Sequence, residues 1–314
     1  MPTIEVARTA NASDTKPAGE AALPLDVTID RPLFIVGSGR SGSTILYRLL
    51  AVHPELCWVS RLTDRFARLP RLALAQRVLD VPGVGEALKR RIVRRGAWML
   101  TPFEGVTTFE AYVGLRADRH STAADYDARV HARMNAVVAG HLAGSGKRRF
   151  VCKRTANTQR IRLLNRMYPD ALFLHLVRDG RAVAHSLNHV PWWDEVDVWW
   201  LGQRPPAWRA AGRHPLELTA LHWRHDTEET LGAASLLGAR YLEVRYEELV
   251  HEPRCVLRSI CDYADYAFPA SYARLVPATL PNMNRKWRET WSAPERRLVH
   301  DAIGPLLREL GYEV

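Results

Sequence analysis

Phe34-Ile35-Val36-Gly37-Ser38-Gly39-Arg40-Ser41-Gly42-Ser43-Thr44 reads as a buried strand, a glycine-rich turn and the first turn of a helix that runs on through Ile45-Leu46-Tyr47-Arg48-Leu49-Leu50. Gly37 and Gly42 bracket four residues and a hydroxyl pair follows. This is the frame of a phosphate-binding loop, G-x-x-x-x-G-K-[ST], with Ser43 where the lysine stands. Such a loop aims backbone N–H groups and a helix N-terminus at an anion. The missing lysine argues against ordinary ATP hydrolysis or transfer of a terminal phosphate, where that cation cradles the β and γ phosphates. Arg40 is left as the charge in the loop.

Around this stretch the chain has room for one large α/β domain. It has 314 residues, 47% hydrophobic and 25% charged, with no low-complexity tract. A formal charge of +10 suits an anionic ligand, a nucleic acid or an acidic surface; a general arginine bias would produce it equally well. No apolar run reaches about 18 residues, the length of a membrane span. The first 30 residues carry early acids and prolines and no apolar signal core, and read as a partly disordered arm. Cys57, Cys152, Cys255 and Cys261 form no C-x-x-C pair, which points to reduced cysteines and a cytoplasmic compartment.

The core is expected from Leu33. Leu56-Cys57-Trp58-Val59 reads as a second strand, and Arg61 to Trp98 as a basic helical segment broken at Val81-Pro82-Gly83. Thr101 to Gly114 is loop-like, Asp125 to Leu142 helical, Phe150 to Lys153 a strand and Gln159 to Tyr168 a helix. Ala171 to Val177 is a near-continuous apolar run, typical of a strand covered on both faces. A helix follows from Ala182 to Asn188, then a tryptophan-rich loop at 191–208, read as an acceptor lid or as a packing insert. A helix from Leu216 to Leu237, a strand from Tyr241 to Tyr246, and helices over Glu252 to Tyr263 and Pro294 to Leu310 close the chain. Alternating strands and helices imply an α/β fold: an open, mostly parallel sheet of the P-loop type with helices on both faces. It would occupy residues 31–314, with helical and Trp-rich insertions, after an arm at 1–30.

The second informative stretch is Leu176-Val177-Arg178-Asp179-Gly180-Arg181-Ala182-Val183-Ala184-His185-Ser186. Arg178 ends a strand, at the edge where open α/β sheets bind ligands, and Ser186 lies about two turns into the next helix. With the glycine-rich loop, this pair resembles the sulfotransferases, in particular the bacterial and carbohydrate-type members. The resemblance implies a donor, 3′-phosphoadenosine 5′-phosphosulfate (PAPS), and a product, PAP. It implies that Gly39, Arg40, Ser41, Gly42, Ser43 and Thr44 grip the 5′-phosphosulfate and that Arg178 and Ser186 hold the 3′-phosphate. Gly180 stands where proline is common in the family. Tyr246 matches a tyrosine that approaches the adenine; an aromatic packed at a strand end is the other reading. Arg285, Lys286 and Trp287 resemble a basic loop over the 3′-phosphate, or form a solvated turn.

The resemblance implies an in-line transfer to a hydroxyl of a small molecule, lipid or sugar, with no metal and no nucleic-acid partner. Sulfuryl transfer rests on positioning and electrostatics, as phosphoryl transfer does. Arg40 and Lys153, which ends a strand, are the catalytic cations it implies. The general base is the open position. Asp64 is the nearest carboxylate after the second strand, and it is either that base or a salt-bridged acid among Arg61, Arg65 and Arg68. Glu104, Glu110 and His185 are further candidates. An unusual P-loop kinase, with Asp179 as its only metal-binding candidate, and a non-catalytic nucleotide- or polyanion-binding module stay open beside the transferase.

Overall fold

The computed structural model describes residues 27–94 and 99–313. Strands β1 (Leu33–Val36), β2 (Leu56–Cys57), β3 (Arg149–Lys153), β4 (Leu172–Val177) and β5 (Tyr241–Arg245) make a five-stranded sheet in the order β2-β3-β1-β4-β5. Every pairing is parallel, with Leu33 registered on Val151 of β3 and on Leu172 of β4. Parallel strands need crossovers, and the helices between them cover the sheet.

The strand period of two sorts the core. Leu33 and Ile35 of β1, with Leu172, Leu174 and Leu176 of β4, face the helices Ser43–Ala51, Tyr246–His251 and Pro253–Ala264. Phe34, Val36 and Phe173 face the helices Ala128–Ser145 and Ile161–Met167 and the end of Pro215–Leu237. Phe34 and Phe173 lie in adjacent register with ring centroids 5.6 Å apart. The central strands are thus apolar on both faces, as the continuous run at 171–177 implied. The α/β, open parallel sheet with helices on both sides is the expected architecture.

Several elements differ from the sequence reading. β2 is two residues long, not four, because Trp58 and Val59 turn away into the wall of the cleft; the Trp58 indole donates to Leu100 O at 3.0 Å. The segment after it is not one helix pattern. It divides into a short helix, Arg61–Arg65, a 3₁₀ helix, Pro70–Asp80, and a helix, Val84–Arg94. The stretch read as a loop at 101–114 contains a π-helical turn, Thr107–Val113. Residues 155–160 form a 3₁₀ turn ahead of the Ile161–Met167 helix. Tyr246 opens a helix and does not end a strand.

The arm expected over 1–30 lies outside the described residues up to 26. Residues 27–30 are tied to the fold: Val27 and Ile29 pack on the core and Asp30 pairs with the buried Arg149 at 3.0 Å. In the tryptophan-rich segment Trp193 and Trp208 are buried with Leu187 and Leu218, Trp199 donates to Asp226 at 2.9 Å, and Trp200 stacks on His225. The segment therefore sits on the Pro215–Leu237 helix. Among the described residues no helix is long and apolar enough to cross a membrane. All four cysteines are free, and three of them are buried.

Candidate active site

Because the strands are parallel, their carboxyl ends share one edge. In sheet order that edge carries Lys153 at the end of β3, the glycine-rich loop after β1, Arg178 after β4 and Tyr246 after β5. Chain segments more than a hundred residues apart are brought together here.

The loop is locked by contacts only glycine permits. Gly37 has φ 122°, and a Cβ there would sit 2.7 Å from Leu176 O. Its N–H donates to Thr158 Oγ1 at 2.9 Å and its carbonyl accepts from the same hydroxyl at 3.0 Å. Gly42 has φ 93°, and a Cβ there would meet the Tyr246 ring at 2.6 Å. Arg40 is left-handed at φ 69° without being glycine, a conformation that costs roughly 1–2 kcal/mol. Arg178 offsets this cost. Its Nη1 donates to Arg40 O at 2.7 Å, while its Nε and Nη2 donate to Asn284 Oδ1 at 2.8 Å and Met283 O at 2.9 Å. The Arg40 side chain crosses in the other direction, with Nε donating to Ser186 Oγ at 3.0 Å. The two phosphate motifs read in the sequence are therefore bonded directly to each other.

Arg178 is buried and its guanidinium lies 4.2 Å from the centre of the Tyr246 ring. Burial lowers its pKa from the ordinary value, against the pull of Tyr246 and Glu247. Tyr246 is 1% exposed and enclosed between Gly42 and Arg178, and its hydroxyl bonds Pro281 O and the Met283 N–H. Its ring packs the loop and has no open face. Trp287 is likewise buried, against Trp291 and under Arg181, whereas Arg285 and Lys286 are exposed.

On the other side, the Lys153 ammonium donates to Glu104, and Thr44 Oγ1 lies 3.5 Å from it. Glu104 also accepts from the Thr155 N–H and hydroxyl, each at 3.4 Å. The Glu104 carboxyl stands near the loop's first hydroxyl turn, with 37% of its side chain still open. Burial raises its pKa, but Lys153, the Thr155 amide and Arg154 outweigh that and bring it below its ordinary 4.5. Asp64 is elsewhere engaged: it is buried and accepts the Thr108 N–H at 2.7 Å, holding the π-helical turn. Glu110 pairs with Arg154, away from Lys153. Asp179 caps its own helix, with both oxygens accepting from Arg181.

The site also shows unmet polar groups that fit an anionic ligand. The Ser43–Ala51 helix starts without a side-chain cap, so its first amides face the loop unpartnered by a side chain. Ser38 Oγ and His185 Nε2 are buried without a hydrogen-bond partner among the described residues. His185 neighbours Ser186, and burial, His189, Lys286 and Arg178 lower its pKa.

A family model described as "Sulfotransferase family" matches residues 32–270. The chain belongs to the sulfotransferase family. It is 28% identical over 156 residues to protein-tyrosine sulfotransferase 2 of Gallus gallus, 49% of this chain and 33% of that protein. It is 30% identical over 115 residues to carbohydrate sulfotransferase 7 of Mus musculus, 31% of this chain and 24% of that one. The chain thus matches a third or less of the length of these relatives. The sulfotransferase STF9 from Mycobacterium avium has the same fold, with a TM-score of 0.61, 17% identity, and 92% of this chain and 79% of that one covered. STF1 from Mycobacterium tuberculosis aligns with a TM-score of 0.55, 15% identity, and coverage of 89% and 78%.

The structure also explains the one departure noted in the second motif. A Cβ on Gly180 would lie 2.5 Å from the Trp223 ring, whose indole donates to Arg178 O at 3.1 Å. Proline at 180 is incompatible with that tryptophan. Trp223 and Thr158 position the site without any signal in the sequence, and Asn284, which opens the Asn284-Arg285-Lys286-Trp287 stretch, holds Arg178. No motif marks the first two, since each acts across a long stretch of chain.

Proposed function

We propose that this protein is a PAPS-dependent sulfotransferase acting on a hydroxyl of a small-molecule, lipid or sugar acceptor. One observation carries the reading: the Arg40 side chain reaches Ser186 while the Arg178 side chain holds the Arg40 carbonyl. Two anion-binding motifs become one surface. PAPS supplies a sulfuryl group attached to a good leaving group, PAP. The amides of Gly39 to Thr44, the Ser41 and Ser43 hydroxyls and Arg40 bind the phosphosulfate. Ser186, Arg285 and Lys286 bind the 3′-phosphate. Arg178 keeps its donors on the protein and positions Arg40, Tyr246 supports the loop from behind, and Trp287 packs against Trp291 beneath Arg181.

Glu104 is the general base in this reading, in place of Asp64, whose carboxylate is committed to the Thr108 amide. Glu104 accepts the acceptor's proton as the acceptor oxygen bonds to sulfur and PAP departs. Lys153 reaches both Glu104 and Thr44. Drawn toward an anion in the loop, Lys153 loosens its hold on Glu104 and makes that carboxylate a better base, while stabilising the leaving oxygen. Four unpaired cysteines support a cytoplasmic setting.

The test is incubation of the full chain with ³⁵S-labelled PAPS, without magnesium, against sugar, phenol and lipid alcohols, followed by mass spectrometry. The expected result is an acceptor heavier by one SO₃ and an equal amount of PAP. Magnesium-dependent ATP turnover with no sulfated product would overturn the reading.

A further inference from the structure

Apart from Asp64, the basic segment after β2 supplies no candidate group to the transfer chemistry. Residues 61–94 hold nine Lys and Arg against three acids, Asp64, Asp80 and Glu86. All three acids are occupied: Asp64 by the Thr108 amide, Asp80 by Lys147 and Lys89, Glu86 by Arg90. Arg65, Arg68 and Arg71 are exposed and make no ion pair among the described residues.

Burial here recurs every third residue. Ala67, Pro70, Ala73, Gln76 and Leu79 point inward, matching the three-residue period of the 3₁₀ helix Pro70–Asp80. The inward row is wedged on the Ala128–Ser145 helix. A Cβ on Gly140 would lie 2.4 Å from Pro70 Cγ, and one on Gly144 would lie 2.5 Å from Arg71 O. Gln76 anchors it by donating to Trp58 O at 2.8 Å. The residues between point outward: arginines at 65, 68 and 71, then Phe66, Leu69 and Leu74, which are 45%, 56% and 56% exposed. A rigid scaffold therefore displays cations and large apolar side chains side by side. The ridge also abuts the wall that carries Glu104, since the Leu62 N–H donates to Met99 O at 2.9 Å and the Phe103 N–H to Val59 O at 2.8 Å.

We propose that the Arg65–Leu74 ridge docks on the surface of an anionic lipid bilayer, seating its apolar side chains among the acyl chains and its arginines among the headgroups. Charge complementarity and the apolar content select this partner. The exposed apolar side chains are one phenylalanine and two leucines, and a single ring is a poor platform for successive bases, so RNA fits less well. A two-fold contact between copies would set three unpaired arginines against three more. Docking here would place the mouth of the site beside the membrane surface.

The test is co-sedimentation of the full chain with vesicles of mixed phosphatidylglycerol and phosphatidylcholine, and with phosphatidylcholine alone, in the absence of donor and acceptor. It is scored separately from sulfotransfer. The expected result is binding only to the anionic vesicles, weakening as salt rises. Arg65→Gln/Arg68→Gln/Arg71→Gln should weaken it on the order of a hundredfold, at about fivefold per cation near an anionic surface. Leu69→Ser/Leu74→Ser should weaken it about tenfold or more with the salt dependence kept. All these positions are exposed, and unchanged melting curves will show that the variants fold. Equal binding to both vesicle types, no binding, no effect of either variant, or a patch-dependent RNA complex or dimer in place of vesicle binding overturns the proposal.

Discussion

The two walls of the candidate site are built on different principles. On the β4 and β5 side, Arg178 bonds three protein carbonyl-type acceptors, Tyr246 is enclosed beneath it, and Arg40 is held in a left-handed turn. The scaffold of that wall is bonded to protein, while Ser38 Oγ and His185 Nε2 stand without a hydrogen-bond partner among the described residues. On the β3 side one lysine is shared between a carboxylate and a threonine, and the carboxylate comes from a loop 49 residues earlier in the chain. The first wall is preorganised to hold an anion. The second is arranged to exchange partners, as a group that takes a proton must.

That contrast predicts separable losses. The largest is expected at Glu104. Glu104→Gln keeps an acceptor for Lys153 and Thr155 but removes the base, so kcat should fall about 10²–10⁴-fold with PAP affinity unchanged. A parallel loss of PAP affinity would merge the two walls. Arg178→Ala should act on the other wall. It leaves Arg40 O, Met283 O and Asn284 without their donor, about 1–3 kcal/mol for each group left unmet. PAP affinity should drop on the order of a hundredfold, read by calorimetry, and the melting temperature should fall with it.

The pH profile sharpens the second wall. The Glu104 carboxyl lies below its ordinary 4.5 because Lys153, Thr155 and Arg154 outweigh the burial that raises it. A base works deprotonated, so the acid limb of kcat/KM should fall below pH 4.5 in the native enzyme. Lys153→Met removes the leading opposing charge and leaves burial, so the limb should move up. A limb that stays in place with Lys153→Met would remove Glu104 from the base role.

A smaller effect is expected at Thr158, whose hydroxyl both accepts from and donates to the Gly37 backbone. Thr158→Val should cost about 2 kcal/mol of stability, measured by denaturant unfolding. The smallest effect is expected at Asp64. Asp64→Asn still offers an oxygen to the Thr108 amide, so kcat should change less than about threefold. A loss like that of Glu104→Gln would return the base to Asp64.

The preorganised wall was largely legible in the sequence because its parts are local. A strand, a glycine turn and a helix start occupy eleven consecutive residues, and Arg178 and Ser186 sit eight apart on one strand and helix. Continuous apolar runs likewise gave β1 and β4 and the two-sided covering of the sheet. The rest was hidden for a physical reason. Thr158 and Trp223 act by contacts across 121 and 45 residues, which no spacing along the chain encodes, and Glu104, one of several candidate carboxylates in the sequence, is set apart only by its contact with Lys153 49 residues away. Asp64 lay at the position the resemblance pointed to, yet the π-helical turn at 107–113 uses it as a cap. The stretch at 61–94 had the composition of a helix, but its middle is a 3₁₀ helix that buries every third residue against a neighbouring helix carrying Gly140 and Gly144.

The separation of a fixed anion wall from an exchangeable proton wall is tested most directly by titrating PAP, free of magnesium, into the native protein, Glu104→Gln and Arg178→Ala by isothermal calorimetry. The account predicts micromolar binding that is equal in the first two and weakened about a hundredfold in the third. No PAP binding to the native protein, binding that requires magnesium, or equal losses in both variants would contradict it.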